Sequence, residues 1–218
     1  MSNGITAWSY SRYNCYQTCP FQFKCKFIDK LPEEKSSQME RGLRIHKELE
    51  KFLNSEGALP EEAQSFSAQF SFLLQEQAFA EMQMAFTQAW KPTGWFKKDT
   101  WLRVILDAGL IYDDNTADVI DFKTGKKYGE NEEQMELFAV ATFNRFPLLT
   151  EVKTRLWYLD GGDEDVVDFR AADRLKLRDK WEKKVQPLFA DTMFAPRPND
   201  KCKWCSFGKS KGGPCRHG

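Results

Sequence analysis

The sequence predicts an α/β domain, a small sheet flanked by helices, and three observations carry that prediction. Apolar residues at helical spacing run from about Met39 to Leu53. Two segments, 101–112 and 117–123, read as strands around the turn-rich Asp113-Asp114-Asn115-Thr116. Helical patterns then return near Glu132 and Arg170. At 218 residues, 41% hydrophobic and 14% aromatic, the chain has enough apolar surface for one core, which excludes a disordered protein. One domain spanning 1–218 is expected.

The elements follow in order. Residues 8–30 (WSYSRYNCYQTCPFQFKCKFIDK) are aromatic, basic and cysteine-bearing, with a short helix expected to stop near Pro20. Met39, Leu43, His46, Leu49 and Leu53 recur three and four apart, the stripe of an amphipathic helix. Residues 61–80 read as a second helix with a Phe-rich face. The period then shortens, since Met82, Met84 and Phe86 alternate with polar or small residues, which predicts a strand. After the two strands at 101–123, a helix is expected from Glu132 to Phe146, a strand over Thr150–Leu159 and a charged helix over Arg170–Phe189. Five glycines and prolines crowd the segment 196–213 with Pro214 beyond, too many breakers for regular structure.

Composition excludes some functions. No apolar run approaches the ~20 residues of a membrane span, and the first residues lack the basic-then-apolar layout of a secretory signal. A cytoplasmic protein with no membrane partner is expected. The 32 basic and 32 acidic residues cancel, but unevenly. From Arg197 onward Asp200 is the sole acid among Arg197, Lys201, Lys203, Lys209, Lys211 and Arg216. Residues 1–30 carry Arg12, Lys24, Lys26 and Lys30 against Asp29. The six cysteines also sit at the ends, at 15, 19, 25, 202, 205 and 215; without an export signal, metal ligation is the better reading than disulfides.

The richest stretch is Ile105 to Lys127, ILDAGLIYDDNTADVIDFKTGKK. Residues two apart on a strand share a face, so Asp121 and Lys123 point together. A turn centred between Asp114 and Asn115 makes Asp107 and Asp121 cross-strand neighbours. Two convergent carboxylates raise each other's pKa unless a cation lies between them. A hard divalent ion suits such a pair, and Lys123 would meet charge developing on a phosphate. On a helix face, His46 reads equally as core or ligand. Gly42, one turn before it, weakens the helix by ~1 kcal/mol relative to Ala and makes sense where another backbone or a substrate comes close. Gln134, at the start of the next helix, reads as a surface glutamine or as a contact to a phosphate or metal-bound water, the former favoured on these residues alone.

In order along the chain stand WSYSRYNCYQTCPFQFKC, the Gly-x-x-x-His helix GLRIHKELE, VILDAGLI, VIDFKTGK, the Gln-led QMELF and FAPRPNDKCKWCSFGKSKGGPC. Together these resemble the RecB-like branch of the PD-(D/E)XK nuclease superfamily. The resemblance implies a restriction-endonuclease-like core, a small mixed sheet flanked by helices. It implies Mg²⁺ or Mn²⁺ held by His46, Asp107 and Asp121, with Lys123 catalytic, Gln134 in the active site and Glu81 a weaker candidate for an extra acidic group. Phe138 stands where the family often has Tyr, and Asp107 is followed by Ala-Gly.

The cysteines are similar to the subset, including AddB-type and CRISPR-associated adaptation nucleases, whose domain is clasped by an iron–sulfur cluster. That pattern implies a [4Fe-4S] cluster on Cys19, Cys202, Cys205 and Cys215, joining 1–30 to 195–218. Zinc on the same thiolates is the chemical alternative; Cys15 is the rival ligand, and the nine residues between Cys205 and Cys215 exceed the usual spacing. The activity implied is a metal-dependent deoxyribonuclease, an exonuclease acting on DNA ends or single strands. A helicase or recombination partner and homo-oligomers are compatible with it. The alternatives are a non-catalytic DNA-binding accessory protein and a structural zinc protein.

Overall fold

The structure, a computed structural model, describes residues 4–34, 36–125 and 132–218; Lys126 and Lys127 of the DFKTGKK stretch lie outside them. The chain divides into two compact units, one of residues 36–179 and one combining residues up to 35 with those from 180 onward.

The first unit is built on a six-stranded sheet in the order β2-β1-β3-β4-β5-β6. The strands are β1 (Phe79–Phe86), β2 (Pro92–Thr93), β3 (Leu102–Ile111), β4 (Thr116–Lys123), β5 (Glu151–Tyr158) and β6 (Asp163–Arg170). All neighbours are antiparallel except β4 and β5, which run parallel. A parallel pair needs a crossover, and α5 (Glu132–Arg145) supplies it. Buried residues occur nearly all round α5, Met135 through Phe143 apart from Glu136, as expected of a helix set in a core.

Helix α3 (Ser37–Leu53) starts where Ser36, in an extended conformation, accepts from the Met39 N–H, so its first turn is capped. Its buried line runs through Ile45, Leu49 and Leu53. Met39 and Leu43, expected on that stripe, are exposed. His46, one position past Ile45, therefore sits at the margin of the buried face. Ile45 and Leu49 pack with Phe66, Phe70, Ala108, Leu110, Ile120, Phe122 and Trp157 in one core, and Met135, Leu156 and Tyr158 form a second.

The single helix expected over 61–80 is a 3₁₀ segment, Glu61–Phe66, and then α4 (Ser67–Gln75). Gln77 takes a left-handed φ of 54°, and the Ala78 N–H bonds to the Leu73 carbonyl, turning the chain into β1. Strand β6 was not expected, because five of its eight residues are charged. Its charges are those of an edge strand, where they oppose pairing with another chain. The charged helix α6 (Arg174–Ala190) starts later than expected because β6 and a 3₁₀ turn, Ala171–Asp173, precede it.

In the second unit, α1 (Tyr10–Thr18), α2 (Pro20–Phe23) and a π-helical turn (Lys24–Ile28) follow the Cys-Pro break. Trp8 stacks on Trp181 with centroids 5.6 Å apart, and the Tyr16 hydroxyl donates to Asp191 at 3.0 Å. The C-terminal segment has only 3₁₀ turns, Asp200–Trp204 and Lys209–Lys211. Among the described residues, no helix is long and apolar enough to cross a membrane.

Gly109 permits the closest approach in the sheet. A Cβ there would lie 2.4 Å from the Phe79 ring and 2.5 Å from the Asp118 carbonyl oxygen. Because one obstacle is backbone, Gly109→Ala is expected to cost about 2–3 kcal/mol. Thermal unfolding of the variant should fall by about 5–10 °C; an unchanged midpoint would refute that packing account.

Candidate active site

The site stands where β3 and β4 separate. Their ladder pairs Ile111 with Ala117 through Ala108 with Ile120 and then stops, while β4 continues to pair with β5 through Lys123. The next pair in that register is Asp107 with Asp121. Leaving the ladder there strands the N–H of Phe122, and Asp107 Oδ2 accepts it at 2.7 Å. A buried backbone donor needs such a partner, so Asp107 closes the fork while keeping carboxylate capacity for another ligand.

On the α3 side, His46 Nδ1 lies 3.3 Å from Asp107 Oδ2. Gly42 explains the approach, because a Cβ on it would meet Thr124 Oγ1 at 3.0 Å. The helix thus nears the end of β4 at its glycine, four residues before His46.

On the α5 side, Lys123 Nζ lies 2.6 Å from Asp121 Oδ2 and donates to Gln134 Oε1 at 2.7 Å. Gln134 Nε2 donates to Asp121 Oδ1 at 3.1 Å. These contacts form a closed triangle. Asp121 Oδ2 is buried, and the Lys123 ammonium is the positive charge beside it.

Glu81 completes the group from β1. Phe79, Ala80 and Met82 pair with Gly109, Ala108 and Leu106, which places Glu81 opposite Asp107. Its φ of 49° is left-handed, an uncommon and costly state for a non-glycine residue inside a strand. Ligand atoms of His46, Glu81 and Asp107 all lie within 4.8 Å of one another. Glu81 is less legible in the sequence because its place opposite Asp107 depends on the register of β1 and β3, which no short turn fixes.

Electrostatics follow from this crowding. Burial raises the Asp121 pKa to about 6, Lys123 opposes the rise, and Asp107 adds to it. Glu81 is also raised, first by burial and then by Asp107. Burial works against a charged His46, but Asp107, by hydrogen bond and charge, and then Asp121 and Glu81 outweigh it and raise that pKa to about 9. The surplus of negative charge is what a divalent cation would relieve. The carboxylates of Asp107, Asp121 and Glu81 suit Mg²⁺ or Mn²⁺, and the His46 imidazole favours the softer Mn²⁺ of the two.

The cysteines form a separate site in the second unit. All six are free thiols. Cys19, Cys202, Cys205 and Cys215 line one pocket with Phe21, Phe207 and His217. Backbone N–H groups point at two of the sulfurs, Arg197 to Cys19 Sγ at 3.4 Å and Asn199 to Cys202 Sγ at 3.3 Å. Arg197 and Asn199 also hold the C-terminal segment to the Gln17 and Thr18 carbonyls. Cys15 and Cys25 are outside that lining, and burial is the first cause raising them to about 12 and about 11.

Among curated proteins, no significant sequence match is found. A solved structure from Eubacterium rectale, described as a putative exonuclease, superposes with a TM-score of 0.54 at 10% identity, covering 92% of this chain and 87% of that one. A second, SSO0001, gives 0.38 at 15% identity, over 86% of this chain and 92% of that one. The likeness to the first is one of fold. The family model of the PD-(D/E)XK nuclease superfamily matches residues 7–210, nearly the whole length, and the chain belongs to that superfamily.

Proposed function

We propose that the protein is a metal-dependent deoxyribonuclease, an exonuclease of the RecB-like branch acting on DNA ends or single strands. The observation that carries this reading is the convergence of His46, Asp107, Asp121 and Lys123 at the fork of β3 and β4. His46, Asp107 and Asp121 would hold Mg²⁺ or Mn²⁺, with Glu81 a further donor on the β1 side. A divalent ion bound there lowers the pKa of a water and polarises a phosphate oxygen. Lys123 sets a positive charge beside the position of the phosphate, where negative charge grows as water attacks phosphorus and the bond to the leaving oxygen breaks. Gln134 fixes the Lys123 ammonium against Asp121. Because the chemistry addresses phosphate, sequence preference should be weak and affinity should fall steeply with salt.

The iron–sulfur reading belongs to the same proposal. Cys19, Cys202, Cys205 and Cys215 would hold a [4Fe-4S] cluster, supported by their shared pocket and by the N–H groups aimed at Cys19 and Cys202.

Anaerobically purified protein is expected to degrade end-labelled DNA with Mg²⁺ or Mn²⁺ and not with EDTA. Asp121→Ala and Lys123→Ala should fold normally yet lose activity by orders of magnitude, about 100-fold or more. A folded wild type that binds DNA without degrading it would give the lead to an accessory role.

The titration of His46 gives an independent check. In the metal-free protein its raised pKa means stability that is full below its usual value of 6.5 and is lost as pH rises through about 9. A ligating His46 must shed its proton. Calorimetric titration with Mn²⁺ at pH 7.5, in buffers of different ionisation enthalpy, should show about one proton released per ion. His46→Ala should abolish the release; proton release unchanged in that variant would remove His46 from the ligand set.

The purified protein should be brown, and Cys202→Ala should bleach and destabilise it. Colourless wild-type protein retaining zinc would decide for the metal alternative.

A further inference from the structure

The connection between β2 and β3 carries the most exposed aromatic residue among the described residues of the first unit. Phe96 is 89% exposed, yet the loop beneath it is tightly tied. The Thr100 hydroxyl donates to the Gly94 carbonyl at 2.8 Å, and the Thr93 hydroxyl donates to Asp99 at 2.9 Å. Arg103 Nε donates to the Trp95 carbonyl at 3.0 Å, and its guanidinium lies 5.6 Å from the Trp95 ring centroid. A lone exposed phenylalanine on a loose loop needs no explanation. One held out on a braced loop, between an anchored Trp95 and the exposed Lys97 and Lys98, has the form of a contact.

The surface leading from this loop to the acidic site is open. Arg103, Ile105 and Asp107 alternate onto one face of β3. Ile105 is 38% exposed, and its partner Gln83 on β1 is exposed too. From Arg103 to Asp107 is four strand residues, roughly 13 Å, a span that a few nucleotides of an extended strand would cover.

We propose that Phe96 stacks on a base of single-stranded DNA lying along the open face of β1 and β3, a few nucleotides from the phosphate that is cut. Lys91, Lys97 and Lys98, all exposed, meet the backbone phosphates around it. Charge complementarity selects a polyanion, and the unpaired aromatic face selects one with accessible bases. This inference rests on the nuclease reading and names its substrate class.

The test uses the full chain and fluorescein-labelled 20-nucleotide DNA, with binding read by anisotropy in EDTA and cleavage in Mg²⁺. Phe96→Ala should melt like wild type, bind single strands about tenfold more weakly and cleave them more slowly at low substrate. Phe96→Trp should restore binding. Lys97→Ala with Lys98→Ala should lower the salt slope by roughly 1.4. Thymidine 5′-p-nitrophenyl phosphate, too short to reach the loop, should be hydrolysed equally by wild type and Phe96→Ala. Wild-type cleavage with Phe96→Ala binding unchanged would overturn this inference and leave the nuclease reading standing. A wild type that neither binds nor cleaves would overturn both.

Discussion

The bond from the Phe122 N–H to the Asp107 carboxylate is the constraint on which the site depends. Where two strands of a sheet part, each leaves backbone groups without partners, and a buried orphan costs more than a hydrogen bond returns. Here the fork falls one residue beyond the Ala108–Ile120 pair, and the missing acceptor is supplied by a side chain rather than by water. That choice fixes the Asp107 carboxylate inside the gap. Asp121, next in register on β4, is placed beside it by the same fork. The acidic pair is therefore a consequence of how the sheet ends its central ladder.

The rest of the first unit brings partners to that gap from three sides. Helix α3 approaches through Gly42 against Thr124, which puts His46 at Asp107. Strand β1, in register with β3, puts Glu81 opposite the same carboxylate in a left-handed backbone state. Helix α5, the crossover that a parallel β4–β5 pair requires, puts Gln134 between Asp121 and Lys123. None of these contacts is local in sequence, yet each arises from an ordinary requirement of packing or connection.

Legibility in the sequence tracked this locality. The Asp107–Asp121 pairing was readable because one tight turn sets the register, and the pairs sum to 228 throughout the ladder. Asp121 with Lys123 followed from the two-residue period alone. The place of Glu81 opposite Asp107 was not readable, because its register with β3 is set across a connection of fifteen residues, from Thr87 to Trp101. Strand β6 was missed because edge position puts charge where a buried strand would have apolar residues. The α3 stripe was placed correctly along the chain but rotated, since Met39 and Leu43 face outward while Ile45 leads the buried line. Sequence period fixes that a face exists; what covers each turn of it is decided by the neighbours.

The chemistry of residue 134 shows how finely such a site is balanced. Its side chain must accept from the Lys123 ammonium and donate to the Asp121 carboxylate at once, and a carboxamide does both. A glutamate there would accept from Lys123 equally well. It would also add a third carboxylate beside Asp121, whose pKa burial already raises, and would draw the ammonium away from it. A leucine would leave the ammonium and Asp121 Oδ1 each short of a buried partner. Glutamine holds the lysine in place without adding a further negative charge beside it. The uncharged bridge is what lets two acids and a lysine share the fork.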